Sequence, residues 1–225
     1  MGKRVEFKNE SGSGSGYLAG TEQGEGPGVL LLHAWWGMTD FFTQLADRLA
    51  GEGFIVLVPD LYGGRTTASI EEAEQLVNKL NSSEAIKTVT AALDYLLDQQ
   101  EVRVGLDGVV GFSLGAAYAT WLAAIRPEIA AAVLFYGGVE QEPDYAEHTD
   151  AAFLVHMAEN DPYESLEQAQ VFERTMTAAG KEVEFYVYPG TGHWFFESNR
   201  PDAYNAEASA LAWERTVKFL HARLG

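Results

Sequence analysis

The 225-residue sequence predicts an α/β fold with a mostly parallel central sheet and helices on both faces. Two observations carry this expectation. Short apolar runs alternate with longer segments of helical periodicity, as in repeated strand-helix units. Three of those runs also lead straight into loops that carry a Ser, an Asp and a His, the position at which open parallel sheets hold ligands.

In chain order, residues 5–8 and 17–19 read as an opening hairpin around Ser11-Gly12-Ser13-Gly14-Ser15-Gly16. That tract has the composition of a flexible linker, but too few residues precede it to make a domain. It therefore reads as a mobile loop in an N-terminal arm over residues 1–27. Residues 28–32 form the next strand, 41–50 an amphipathic helix, and 54–58 a strand stopped by Pro59-Asp60. Helices follow over 70–79 and 83–97, the second with Asn81, Ser82 or Ser83 as N-cap. After a strand ending near residue 112 come a helix over 116–125 stopped by Pro127, a strand over 131–135 and a strand over 153–157. A helix over 163–179, a strand over 183–188 and a closing helix over 206–222 complete the chain. There is no repeat and no break in composition, so one domain over residues 1–225 is expected.

Composition excludes several function classes. Lys plus Arg number 15 against 33 Asp plus Glu, a formal charge of −18, which makes nucleic acid and anionic membranes poor partners. The acidity reads as a solvated surface, with adaptation to high salt as the alternative. The chain has no cysteine, hence no disulfide, no thiolate nucleophile and no Cys-based metal site. The N-terminus lacks the apolar core of a signal peptide and no run reaches membrane-spanning length, so a cytoplasmic protein is expected. A monomer or weak homodimer is the expected assembly. No histidine cluster has zinc-ligand spacing, and neither a metal nor another cofactor is expected.

The most informative segment is Val109-Val110-Gly111-Phe112-Ser113-Leu114-Gly115-Ala116-Ala117, a short strand entering a Gly-x-Ser-x-Gly turn and an alanine-rich helix. This is the pattern of a nucleophile elbow, in which a tight strand-helix turn projects a serine and its neighbours must be glycine. Downstream, the strand 153–157 runs into Ala158-Glu159-Asn160-Asp161-Pro162, and the strand 183–188 into Pro189-Gly190-Thr191-Gly192-His193. Nucleophile, acid and base thus follow the order Ser, Asp, His, that of the α/β-hydrolase fold. Asp161 is the preferred acid because it lies further past the strand end and before a proline; Glu159 is the alternative. The segment 136–152, where this fold commonly inserts a lid, is too short for a lid domain, so an open pocket for small esters or lactones is expected. Among other histidines, His156 in an apolar strand reads as a satisfied core residue. His33 reads as either a loop-orienting or a packing residue, and His148 and His221 as exposed.

Together with these motifs, Leu30-Leu31-Leu32-His33-Ala34-Trp35-Trp36-Gly37, Val58-Pro59-Asp60-Leu61-Tyr62-Gly63-Gly64 and Phe135-Tyr136-Gly137-Gly138 give the chain beyond residue 27 a resemblance to the dienelactone hydrolase family. The resemblance implies an oxyanion hole formed by the backbone N–H groups of Trp35 and Leu114. Trp35, Trp36, Phe112, Tyr136 and Trp194 are candidate pocket walls, with core packing as the competing role for each. Tyr62 and Arg65 are candidate substrate contacts, Arg65 toward a carboxylate or else as a solvated loop arginine. Three positions depart from the family prototype, which has a cysteine where this chain has Ser113, a glutamate at Ala34 and a carboxylate-binding arginine at Glu197. A carboxylate at 197 is expected to repel an anionic lactone and admit a neutral one. A non-catalytic binding protein on the same scaffold, or a thioesterase or acyltransferase using the same triad, remain open alternatives.

Overall fold

The computed structural model describes residues 2–9, 12–21, 24–103, 105, 107–139 and 145–225. The chain divides into two units, Met1–Gly105 and Leu106–Gly225.

The first unit contains β1 (Lys3–Asn9), β2 (Gly12–Ala19), β3 (Gly28–Leu32), α1 (Asp40–Gly51), β4 (Ile55–Pro59), α2 (Ile70–Lys79) and α3 (Ser82–Leu97). Its strands lie in the order β1-β2-β4-β3. β1 with β2 and β2 with β4 are antiparallel, whereas β3 and β4 are parallel. Every residue of β3 and β4 is buried, which is why both are continuous apolar runs with no alternation. Side chains close the orphan amides at two helix starts: Ser69 accepts from Glu72 N–H on α2, and Asn81 from Ser83 and Glu84 N–H on α3.

The described part of the Gly/Ser tract corrects one expectation, for it is a strand and not a mobile loop; Ser11 lies outside the described residues. Gly14 pairs with Phe7 on one side, and Gly16 with Pro59 on the other. A Cβ on Gly16 would sit 2.6 Å from the Val58 carbonyl oxygen, and one on Gly14 would sit 2.3 Å from the Phe7 ring. Glycine here makes room for a neighbouring strand and ring; freedom of the backbone is not its purpose.

The second unit contains β5 (Asp107–Phe112), α4 (Leu114–Ile125), β6 (Ile129–Phe135), α5 (Tyr145–His148), β7 (Ala152–Ala158), α6 (Leu166–Ala178), β8 (Val183–Tyr188) and α7 (Ala206–Leu224). Its strands run β5-β6-β7-β8, each parallel to the one before it. α4 packs on β5 and β6, α6 on β8, and α7 on β5, β6 and β7. With eight strands, mostly parallel, and intervening helices, the fold is the α/β class read from the sequence. α6 starts later than the expected residue 163. Asp161 takes the N–H groups of Tyr163 and Glu164, and Ser165 then caps Gln168. Among the described residues, no helix is long and apolar enough to cross a membrane.

Candidate active site

β5 ends at Phe112 and α4 begins at Leu114, so Ser113 alone makes the turn. Its backbone sits at φ 51° and ψ −114°, a conformation that costs a side-chain-bearing residue about 1–3 kcal/mol. The surrounding backbone imposes it. Ser113 N–H donates to the Phe135 carbonyl at 2.9 Å, and a Cβ on Gly111 would lie 2.4 Å from the Gly115 carbonyl oxygen and 2.6 Å from Ala116 Cα. Because the obstacle is backbone, it cannot move aside as a side chain could. Leu114, the first residue of α4, presents one of the first-turn amides that have no acceptor within a helix.

His193, 4 % exposed, joins the other two residues. Its Nδ1 lies 2.7 Å from Asp161 Oδ2 and its Nε2 2.9 Å from Ser113 Oγ. A carboxylate only accepts, so the proton sits on Nδ1, and Nε2 is left to accept from the serine hydroxyl. The other oxygen of Asp161 is held by the N–H groups of Tyr163 at 2.9 Å and Glu164 at 3.1 Å, so that the carboxylate cannot swing away from the imidazole. Glu159, the alternative acid, instead accepts from Gly190 N–H at 2.8 Å.

Three aromatic rings pack on the His193 imidazole: Tyr136 at 4.8 Å between ring centres, Trp194 at 5.1 Å and Tyr163 at 5.1 Å. Tyr136 and Trp194 both have positive φ, at 37° and 66°. Tyr136 is fully buried and donates its hydroxyl to Glu197 Oε1 at 2.8 Å; Glu197 Oε2 has no hydrogen-bond partner among the described residues. Burial pushes the Glu197 carboxyl up to about 8, against the lowering effects of the Tyr136 hydrogen bond and the Arg200 charge. Burial also raises the Tyr136 phenol well above its ordinary value, with the Glu197 charge adding to the effect.

In the first unit, His33 follows β3 and is fully buried. Its Nδ1–H donates to the Ala34 carbonyl at 2.7 Å, and its Nε2 accepts from Leu61 N–H at 3.3 Å, tying the loop after β3 to the loop after β4. Burial holds it below the ordinary histidine range, so it is the neutral form that makes both bonds. Asp60 accepts from Tyr62 N–H at 3.0 Å and from Gly64 N–H, which shapes the second loop. Trp35 is partly exposed, Trp36 and Tyr62 are buried, and Arg65 is exposed, with its Nε–H donating to the Tyr62 carbonyl at 3.4 Å.

The sequence profile of the dienelactone hydrolase family matches residues 15–224. The chain belongs to the dienelactone hydrolase family. Its relatives include protein usf of Aquifex pyrophilus, 30% identical over 97% of each chain, and the carboxymethylenebutenolidase of Rhodococcus opacus, 28% identical over 89% of this chain and 83% of that one. Among solved structures, the dienelactone hydrolase-like promiscuous phosphotriesterase P91 from metagenomic libraries matches with a TM-score of 0.90 at 22% identity, covering 100% of this chain and 99% of its own. That likeness is one of fold.

For this member of the dienelactone hydrolase family, the geometry bears on several single-residue expectations. Phe112 takes the core-packing role weighed for it: it is fully buried and stacks on Phe135 at 4.4 Å with 9° between the planes. Trp36, 1 % exposed, is likewise core. Glu197 does not face solvent: it is buried on Tyr136, and burial pushes its carboxyl up to about 8. His156 is a satisfied core residue, bonded to Tyr188 Oη at 2.8 Å and Thr216 Oγ1 at 3.0 Å, and burial lowers it to about 3. Tyr163 was hidden from sequence reasoning because its segment has helical periodicity. The only available signal was its place two residues after Asp161, where an N–H reaches back to an Asp side chain.

Proposed function

We propose that the chain is a serine hydrolase that cleaves small soluble esters or lactones through an acyl-enzyme on Ser113. The observation that carries this reading is the pair of hydrogen bonds by which His193 links Ser113 to Asp161. As the Ser113 hydroxyl attacks the carbonyl carbon, Nε2 takes its proton, and the Asp161 carboxylate stabilises the imidazolium through Nδ1–H. The carbonyl oxygen becomes an oxyanion within reach of the Leu114 N–H. The family resemblance assigns the second donor to the N–H of Trp35. One such donor contributes about 10²–10³ in rate.

The tetrahedral adduct then breaks its C–O bond. The electron pair goes to the leaving oxygen, which takes the proton from Nε2, and the acyl group stays on Ser113. Water, deprotonated by the same nitrogen, cleaves the acyl-enzyme and restores the serine. The name of the Rhodococcus opacus relative points to a lactone among the substrates of the family.

Ser113→Ala is expected to lower hydrolysis of a nitrophenyl acetate by about 10³ or more, and a fluorophosphonate is expected to label Ser113 in the wild type. An alanine variant that kept more than about a tenth of wild-type activity would place the nucleophile elsewhere.

A further inference from the structure

We infer that Tyr163 selects the leaving group, its half-exposed ring taking up an apolar or aromatic alcohol portion of the ester as that portion departs past His193. The inference rests on the hydrolase reading above. The Tyr163 and His193 ring centres are 5.1 Å apart, and Tyr163 also lies 5.3 Å from Trp194. Of the two tyrosines on this imidazole, Tyr136 is fully buried with its hydroxyl committed to Glu197, whereas Tyr163 is 48 % exposed. A large aromatic surface left in water next to a reacting nitrogen gains by being covered.

The direction of proton transfer decides which half of the substrate covers it. When the C–O bond breaks, the leaving oxygen must be within hydrogen-bond reach of His193 Nε2, whose proton it takes, while the acyl carbon is held on Ser113 Oγ. A ring lying against the imidazole therefore borders the first atoms of the leaving group. The contribution of Tyr163 to holding Asp161 comes from its backbone N–H, which any residue other than proline retains. Removing the side chain thus removes the aromatic surface without removing the hydrogen bond that orients the base.

The test uses three esters and the full chain: methyl acetate, benzyl acetate with its ring on the leaving side, and the isomeric methyl phenylacetate with its ring on the acyl side. Tyr163→Ala is expected to lower the kcat/KM ratio of benzyl acetate to methyl acetate about five- to tenfold, a size set by covering roughly half a tyrosine ring. Tyr163→Phe is expected to keep that ratio within about twofold, and the methyl phenylacetate ratio is expected to change by less than about twofold in both variants. The inference is overturned by equal loss on all three esters, which marks a structural role; by a change confined to methyl phenylacetate, which puts the ring on the acyl side; or by failure of phenylalanine to preserve the ratio. Fluorophosphonate labelling of Ser113 separates the two levels. A labelled Ser113 with an unaltered ratio overturns the role of Tyr163 alone, whereas a wild type with neither label nor turnover overturns the hydrolase reading and this inference together.

Discussion

Glu197 shows how far a single residue can depart from what its letter implies. Nothing in Trp194-Phe195-Phe196-Glu197-Ser198 marks its carboxyl as buried, because a charged residue in a turn normally faces water. Burial raises this group from its ordinary range to about 8, so the folded state binds a proton that the unfolded state releases. The stabilisation is fully present below the unfolded carboxyl range near pH 4.5 and is lost as pH rises through 8. At about 1.4 kcal/mol per pKa unit, the loss amounts to a few kcal/mol. Glu197→Gln keeps an acceptor for the Tyr136 hydroxyl and removes the titration. Unfolding free energies from urea titration are therefore expected to fall for the wild type between pH 5 and pH 8 by about 1–4 kcal/mol more than for the variant. Parallel pH profiles for the two proteins would show that Glu197 ionises in the folded state as it does in the unfolded chain. The loop positions that bring Ser113, Asp161 and His193 within hydrogen-bond distance, by contrast, were legible. Each falls in a short loop just past a strongly apolar strand, and such strands are what sequence periodicity reports best.

At the scale of elements, legibility followed the apolar and aromatic content of each strand. β3, β4, β6, β7 and β8 are apolar or aromatic runs and could be read directly, and of the three cap candidates for α3, Asn81, Ser82 and Ser83, it is Asn81 that serves. β2 could not be read, because Gly and Ser have little strand preference of their own and its place is set by Phe7 on one flank and β4 on the other. A true linker would accept Gly16→Ala without cost. In a strand whose Cβ would meet the Val58 carbonyl at 2.6 Å, the same change is expected to destabilise by about 1–3 kcal/mol, while Ser13→Thr on the exposed side is neutral or slightly stabilising. Chemical denaturation of both variants decides the matter, and equal midpoints for Gly16→Ala and wild type would return the tract to the status of a loop. The onset of α6 was missed for a related reason. Its hydrophobic periodicity extends back toward Tyr163, but the Asp161 side chain claims the amides that would have opened the helix.

For the molecule as a whole, a formal charge of −18 means that the folded chain carries considerable self-repulsion. Raising NaCl from about 0.01 M to about 0.5 M shortens the screening length severalfold and is expected to raise the melting temperature by a few degrees; a flat or falling Tm would show that local ion pairs outweigh the net charge. The linear order β5-β6-β7-β8 has a further consequence, in time. Ser113 and His193 are 80 residues apart in the chain, and His193 comes only after β8, the last strand. At about 5–20 residues per second, the serine leaves the ribosome several seconds before the histidine is made. A nascent chain stalled before residue 193 is therefore expected to leave a fluorophosphonate unreacted even where β5, β6 and α4 have already folded. The cell would then meet the proposed nucleophile Ser113 only in a chain in which all the described strands have been synthesised.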